Sequence, residues 1–355
     1  MSKPTLFLIH GMGNHTPESF KKQFNDTMDS VFKLYHSLSS QQFSKIVNVE
    51  AIGYNHHFEN YRNNHAGNKD TFSTILESLP TKTLKNTFNQ IINLQGSIND
   101  DEFFNSHWLD VLIYRFSTIG TNIQIDIANK IAEAIHAHGG YSQNVHMLSH
   151  SLGTAVLHDS LAKAYGEPSV DVPNPLNVVD HYLGSLHFVA NTSRVLQSFI
   201  KVKDSRVKPG PEGCTRLYRE YRHSLDPIAR VKPFNPNGNG GWIGDYQWRK
   251  KHYQLQPLTS ITNKHGNTHS IEHYLYNPKV HLKLIKEVAA ITLPREEIEQ
   301  AGMEYMSQTL KGVAESAARA LKNISISDTA TIADFVKAYV ALKTFVESLE
   351  GQLDV

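Results

Sequence analysis

The sequence predicts an α/β fold in which a mostly parallel sheet carries helices on both faces. Two observations support this. Short apolar runs bounded by turn-forming residues alternate along the chain with amphipathic stretches at helical spacing. Strands separated by helices in this way pair in parallel, because each helical crossover carries the chain back to the end of the sheet where the previous strand began. With 355 residues, 40% of them apolar, the chain can bury one large domain with insertions or two smaller ones.

In chain order the first strand is Thr5–Ile9. A helix is predicted from about Glu18 to Leu38, with Phe20, Phe24, Met28, Val31, Phe32 and Tyr35 on one stripe. A second strand covers Ile46–Tyr54, and later strands cover Val145–Leu148, Ser185–Ala190, Arg216–His223 and His252–Leu258. A helix over Ile123–His136 feeds the third strand, and another runs from Leu152 to about Tyr165. A last domain helix starts near Ile271, with Ser270 as its N-cap.

Two segments break this rhythm. Residues 55–110 are polar but hold two one-faced stretches separated by Pro80: Phe72, Ile75, Leu76 and Leu79, then Leu84, Phe88, Ile91 and Ile92. They read as a helical hairpin on the body, which can also cap a site. Beyond Leu293-Pro294 the chain turns helical and alanine-rich. One seam runs through Met303, Met306, Leu310, Val313, Ala317 and Ala320, and another through Ile332, Phe335, Tyr339, Leu342, Val346 and Leu349. The expectation is a body over residues 1–292, with the cap insertion at about 55–110, and a C-terminal helical hairpin over 293–355. That hairpin packs on its own body, or alternatively joins two copies as a homo-oligomer.

Charge and composition exclude several classes. Lys and Arg number 35 against 34 Asp and Glu, so a net charge of +1 gives no electrostatic case for nucleic acid or an anionic membrane. Leu6–Ile9 is too short for a signal peptide, and no run approaches a membrane-spanning length. The lone Cys214 cannot staple a fold. A cytoplasmic protein without stable membrane insertion is expected. The 20 histidines are scattered; the nearest approach to metal-ligand spacing, His56-His57-Phe58-Glu59, reads as a solvated loop, and no metal site is assigned.

The chemistry lies in two glycine-bearing turns. Ser149-His150-Ser151-Leu152-Gly153 joins a strand to a helix, and such a turn lifts the serine side chain above the sheet. The helix start adds the Leu152 N–H and a favourable dipole for a developing oxyanion. His10-Gly11-Met12-Gly13 follows the first strand, where glycines let the backbone approach a ligand.

Together, Phe7-Leu8-Ile9-His10-Gly11-Met12-Gly13 and Val145 through Thr154 resemble the α/β-hydrolase superfamily, nearest its lipase- and esterase-like branch, over roughly residues 4 to 290. Ser149 stands in place of the elbow's first glycine, and the early antiparallel strands of fuller relatives do not precede Thr5. The resemblance implies a serine hydrolase that cleaves a carboxylic ester, including a lipid ester, through a Ser-His-Asp triad with no cofactor. It also implies the chain order serine, acid, histidine. Ser151 is then the nucleophile, and the Met12 and Leu152 N–H groups form the oxyanion hole, with His10 and Gly11 against the substrate. Asp226, after the strand ending at His223, is the acid, with Glu220 and Asp245 as alternatives. His269, before the Ser270 cap, is the base, with His273 and then His265 behind it. Trp242, with Tyr246 and Trp248, either lines the substrate entrance or anchors its glycine-rich loop. Thioester, amide and peptide cleavage remain alternatives within this chemistry, as does a non-catalytic scaffold.

Overall fold

The computed structural model of the chain describes residues 3–11, 16–65, 110–111, 114–115, 118–137, 144–193, 206–226, 229, 233–234, 236, 252–260, 262 and 267–309. The strands are β1 (Thr5–Ile9), β2 (Asn48–Ile52), β3 (Val145–His150), β4 (Leu183–Val189), β5 (Thr215–His223) and β6 (Tyr253–Leu258). They form one sheet in the order β2-β1-β3-β4-β5-β6, and every pairing is parallel. Around it lie α1 (Pro17–Phe32), α2 (Phe43–Ile46), α3 (Asn55–His65), α4 (Thr118–Ala137), α5 (Leu152–Ala164), α6 (Ile271–Tyr276), α7 (Pro278–Glu287) and α8 (Arg295–Ser307).

The central strands are buried on both faces, which is why they read as continuous apolar runs. In β1, Phe7 and Ile9 enter one core layer, while Leu6 and Leu8 enter the other. The first layer is closed by α4 and α5 through Ile123, Ile127, Ile131, Ala155, Val156 and Leu161. The second is closed by α1 and the α6–α8 group through Phe20, Phe24, Met28, Tyr274, Leu284 and Ala301. One buried ion pair ties strand to helix: Arg219 of β5 meets Glu287 of α7 at 2.7 to 3.0 Å.

This topology decides where a site can form. The chain leaves β1 for α1 on one face and leaves β3 for α5 on the other, although β1 and β3 are neighbours. At such a switch point the outgoing chains diverge and open a crevice at the carboxyl ends of the strands. Ile9 pairs with Ser149, so the turns that follow, His10-Gly11 and His150-Ser151, lie side by side at that crevice.

Several boundaries differ from the sequence expectation. The first helix stops at Phe32 with Lys33 as its C-cap, and His36–Leu38 is a separate 3₁₀ turn. Tyr35 remains fully buried, so the apolar stripe outlasts the helix. The second strand is shorter than Ile46–Tyr54 because α2 occupies Phe43–Ile46. His56-His57-Phe58-Glu59 is not a loop: it lies within α3 and buries Phe58. In the tail, the seam through Met303 and Met306 is the exposed face of α8, at 68% and 57% exposure, and Ala301 and Tyr305 face the body instead. The rest of both tail seams lies outside the described residues, as do the two amphipathic stretches of the insertion, 72–79 and 84–92. Among the described residues no helix is long and apolar enough to cross a membrane.

Candidate active site

Ser151 caps α5 with φ 54° and ψ −128°, backbone angles that non-glycine residues rarely adopt. Such a conformation costs about 1–3 kcal/mol and persists only where its surroundings over-determine it. Here they do. The Ser151 N–H donates to the Val189 carbonyl at 3.1 Å. Its carbonyl accepts from the Thr154 hydroxyl at 2.7 Å and the Thr192 hydroxyl at 2.9 Å. The neighbouring backbones leave no room for larger residues. A Cβ on Gly153 would stand 2.1 Å from the His10 carbonyl oxygen, and one on Gly11 would stand 2.8 Å from Ser151 Cβ. The two glycines therefore let the β1 turn close against the serine turn.

Three loops bring a hydrogen-bonded chain together at this point. His269 Nε2 lies 2.9 Å from Ser151 Oγ, and His269 Nδ1 lies 2.9 Å from Asp226 Oδ2. The carboxylate selects the tautomer: Nδ1–H donates to Asp226, which leaves Nε2 free to accept from the serine hydroxyl. Asp226 accepts twice more, from the Tyr274 hydroxyl at 2.8 Å and from the Ala229 N–H at 3.1 Å. Complete burial would raise its pKa, but the facing His269 and these donors outweigh burial and hold it below the ordinary carboxylate value. The His269 loop is pinned in turn. The His150 ring donates to the His269 carbonyl at 2.7 Å, and the Thr268 hydroxyl donates to the Leu225 carbonyl at 2.9 Å. Ser151 is only 2% exposed, which screens its hydroxyl from bulk water.

The alternatives lie elsewhere. Glu220 is buried within β5, where its carboxylate accepts from the Tyr253 hydroxyl at 2.5 Å; burial pushes its pKa up to about 7. His273 sits on α6, with its ring edge-on to His223 at 4.8 Å. The His10 ring is fully buried and stacked on Tyr54 at 4.4 Å. Leu152 opens α5 as its first residue, so its N–H has no partner within the helix. Met12, Trp242, Asp245, Tyr246, Trp248 and His265 lie outside the described residues.

Sequence reasoning missed the supporting residues. Tyr274 is a buried aromatic of α6 whose hydroxyl finds Asp226 48 positions away, and Thr192 lies 41 positions from the serine it holds. Neither carries a local signal. His150 had one, its place inside the serine turn. No protein-family model matches the chain, and no curated protein matches it either. The reading of the site therefore rests on its own geometry.

Proposed function

We propose that the chain is a serine hydrolase of the α/β-hydrolase type that cleaves carboxylic esters, lipid esters included, through an acyl-enzyme. The observation that carries this reading is the Ser151–His269–Asp226 hydrogen-bonded chain at a strand–turn–helix serine. In the proposed mechanism His269 Nε2 takes the Ser151 proton as Oγ attacks the acyl carbon, then returns it to the leaving alcohol. Asp226 holds the imidazole in its tautomer and stabilises the imidazolium, while Tyr274 fixes the carboxylate. The Leu152 N–H, with that of Met12, receives the oxyanion. Water then repeats the sequence in reverse to free the acid. On this reading the insertion at about 55–110 caps the site, and the tail 293–355 stays outside the chemistry. The same machinery serves thioesters and amides, so rates on a substrate panel define the class.

The test is labelling with a fluorophosphonate probe, followed by a panel of p-nitrophenyl esters of rising acyl length. One probe per chain, at Ser151, is the expected result; a folded chain that neither labels nor turns over any ester is a scaffold, and the proposal fails. The base is tested separately. His269→Ala is expected to lower kcat by about 10³-fold or more, whereas His273→Ala stays within about tenfold of wild type. Equal losses in the two variants would remove His269 from its assigned role.

A further inference from the structure

The active-site reading leaves aside the paired histidines at the start of α3. There the Nε2 atoms of both rings turn toward a single oxygen of Asp126 on α4, at 3.8 Å from His56 and 3.1 Å from His57. The donor atoms of the three side chains all lie within 4.8 Å of one another. A tetrahedral zinc ion with bonds of about 2.0–2.2 Å sets its ligands about 3.3–3.6 Å apart, a spacing that falls between those two separations. Two imidazoles and one carboxylate are also the donor set that borderline divalent cations favour over magnesium or calcium.

One cation already sits on the carboxylate. Lys130, one turn along α4, places Nζ 2.8 Å from the same Asp126 oxygen. Its side chain is 43% exposed, so it can swing into solvent at little cost. His56 and Lys130 also line a cavity of about 620 Å³ whose wall includes Glu18, Glu50 and Glu59. None of Ser151, Asp226 and His269 lines that cavity.

We propose that His56, His57 and Asp126 bind a divalent transition-metal cation of the zinc class, with Lys130 holding the carboxylate until the cation displaces it. The bound ion clamps α3 to α4 across the 69 positions between His57 and Asp126. Three protein ligands leave a fourth position for water or a small ligand from the cavity. Because the three ligands come together only when α3 packs on α4, the ion binds the folded chain in preference to the unfolded one and should also raise thermal stability.

The test is calorimetric titration of the full chain with zinc chloride alone, with cobalt(II) absorption as a second readout. One site per chain is expected, together with a rise in Tm. His57→Gln and Asp126→Asn should each weaken binding by about 10- to 100-fold. The His56 side chain is 54% exposed, so His56→Gln removes a ligand without disturbing a core and should weaken binding likewise. Lys130→Met separates this proposal from adventitious binding at scattered histidines, because it should tighten zinc binding by removing the competitor. No binding by the wild-type chain, equal binding by wild type and His56→Gln, or weaker binding by Lys130→Met would each overturn the proposal.

Discussion

Ser151→Ala is expected to reduce ester turnover by about 10⁴- to 10⁶-fold and to abolish fluorophosphonate labelling. Stability should change little or rise. The hydroxyl bonds to His269 Nε2, and its removal leaves a ring nitrogen on a side chain that is 14% exposed rather than a buried charge. The strained backbone at residue 151 stays, because it is held through the carbonyl and N–H by Val189, Thr154 and Thr192 rather than through the side chain. Turnover with a p-nitrophenyl ester and thermal unfolding, measured on the same preparation, check both halves. A folded variant that keeps more than a tenth of wild-type turnover would remove Ser151 as the nucleophile.

Acid is expected to unfold the protein cooperatively as pH falls from about 5 to 3. Four buried histidines drive this. Burial lowers the pKa to about 3 for His146, His187 and His223 and to about 4 for His281. Their partners fix the neutral form. His223 Nδ1 accepts from the Leu225 N–H while its Nε2 donates to the Ser260 carbonyl. His281 Nδ1 donates to the Leu275 carbonyl while its Nε2 accepts from the Tyr35 hydroxyl. His146, Ser185, His187 and Tyr221 form a chain across β3, β4 and β5 at 2.7 to 2.8 Å. Unfolded histidines titrate near 6.5. Because the folded values are depressed, the stability is complete above about pH 6.5 and is lost as pH falls toward 4 and 3. In that window each histidine gives the unfolded chain one more proton. Glu220, with its pKa raised to about 7, works in the opposite sense by one proton between its unfolded value and 7. The net of about three protons makes the slope about 4 kcal/mol per pH unit, against a typical total of about 5–15 kcal/mol. Circular dichroism should therefore show a midpoint between about pH 3 and 5. A chain that stays native at pH 3 would contradict it.

The centre of the sheet was legible because β1 and β4 are buried throughout and β3 nearly so, and β1 matches the expected Thr5–Ile9. What blurred the boundaries was burial that outlasts regular structure. Tyr35 keeps the helical stripe going after the chain has turned, because its hydroxyl is drawn to His281 246 positions away. The serine turn carried a local signal, its glycine-bearing junction of strand and helix, whereas Asp226 and His269 were named through the chain order that the resemblance implies. Tyr274, Thr192 and the junction of His57 with Asp126 carried no such signal, since each depends on how distant elements pack rather than on spacing within one of them. In the described part of the first tail seam Met303 and Met306 are exposed, while the small Ala301 and the long Tyr305, whose hydroxyl accepts from Asn277, face the body.

The placement of Ser151, Asp226 and His269 after β3, β5 and β6 bears on how the chain is made. Synthesis runs from the N-terminus, so Ser151 leaves the ribosome 118 residues before His269. β3 pairs directly with β1, whereas β6 is the edge strand and has its place on β5 only once β4 and β5 extend the sheet. Contacts so remote in sequence form late. On the proposed mechanism a nascent chain that ends before His269 carries Ser151 without its base, so that reactivity at Ser151 would report a completed sheet.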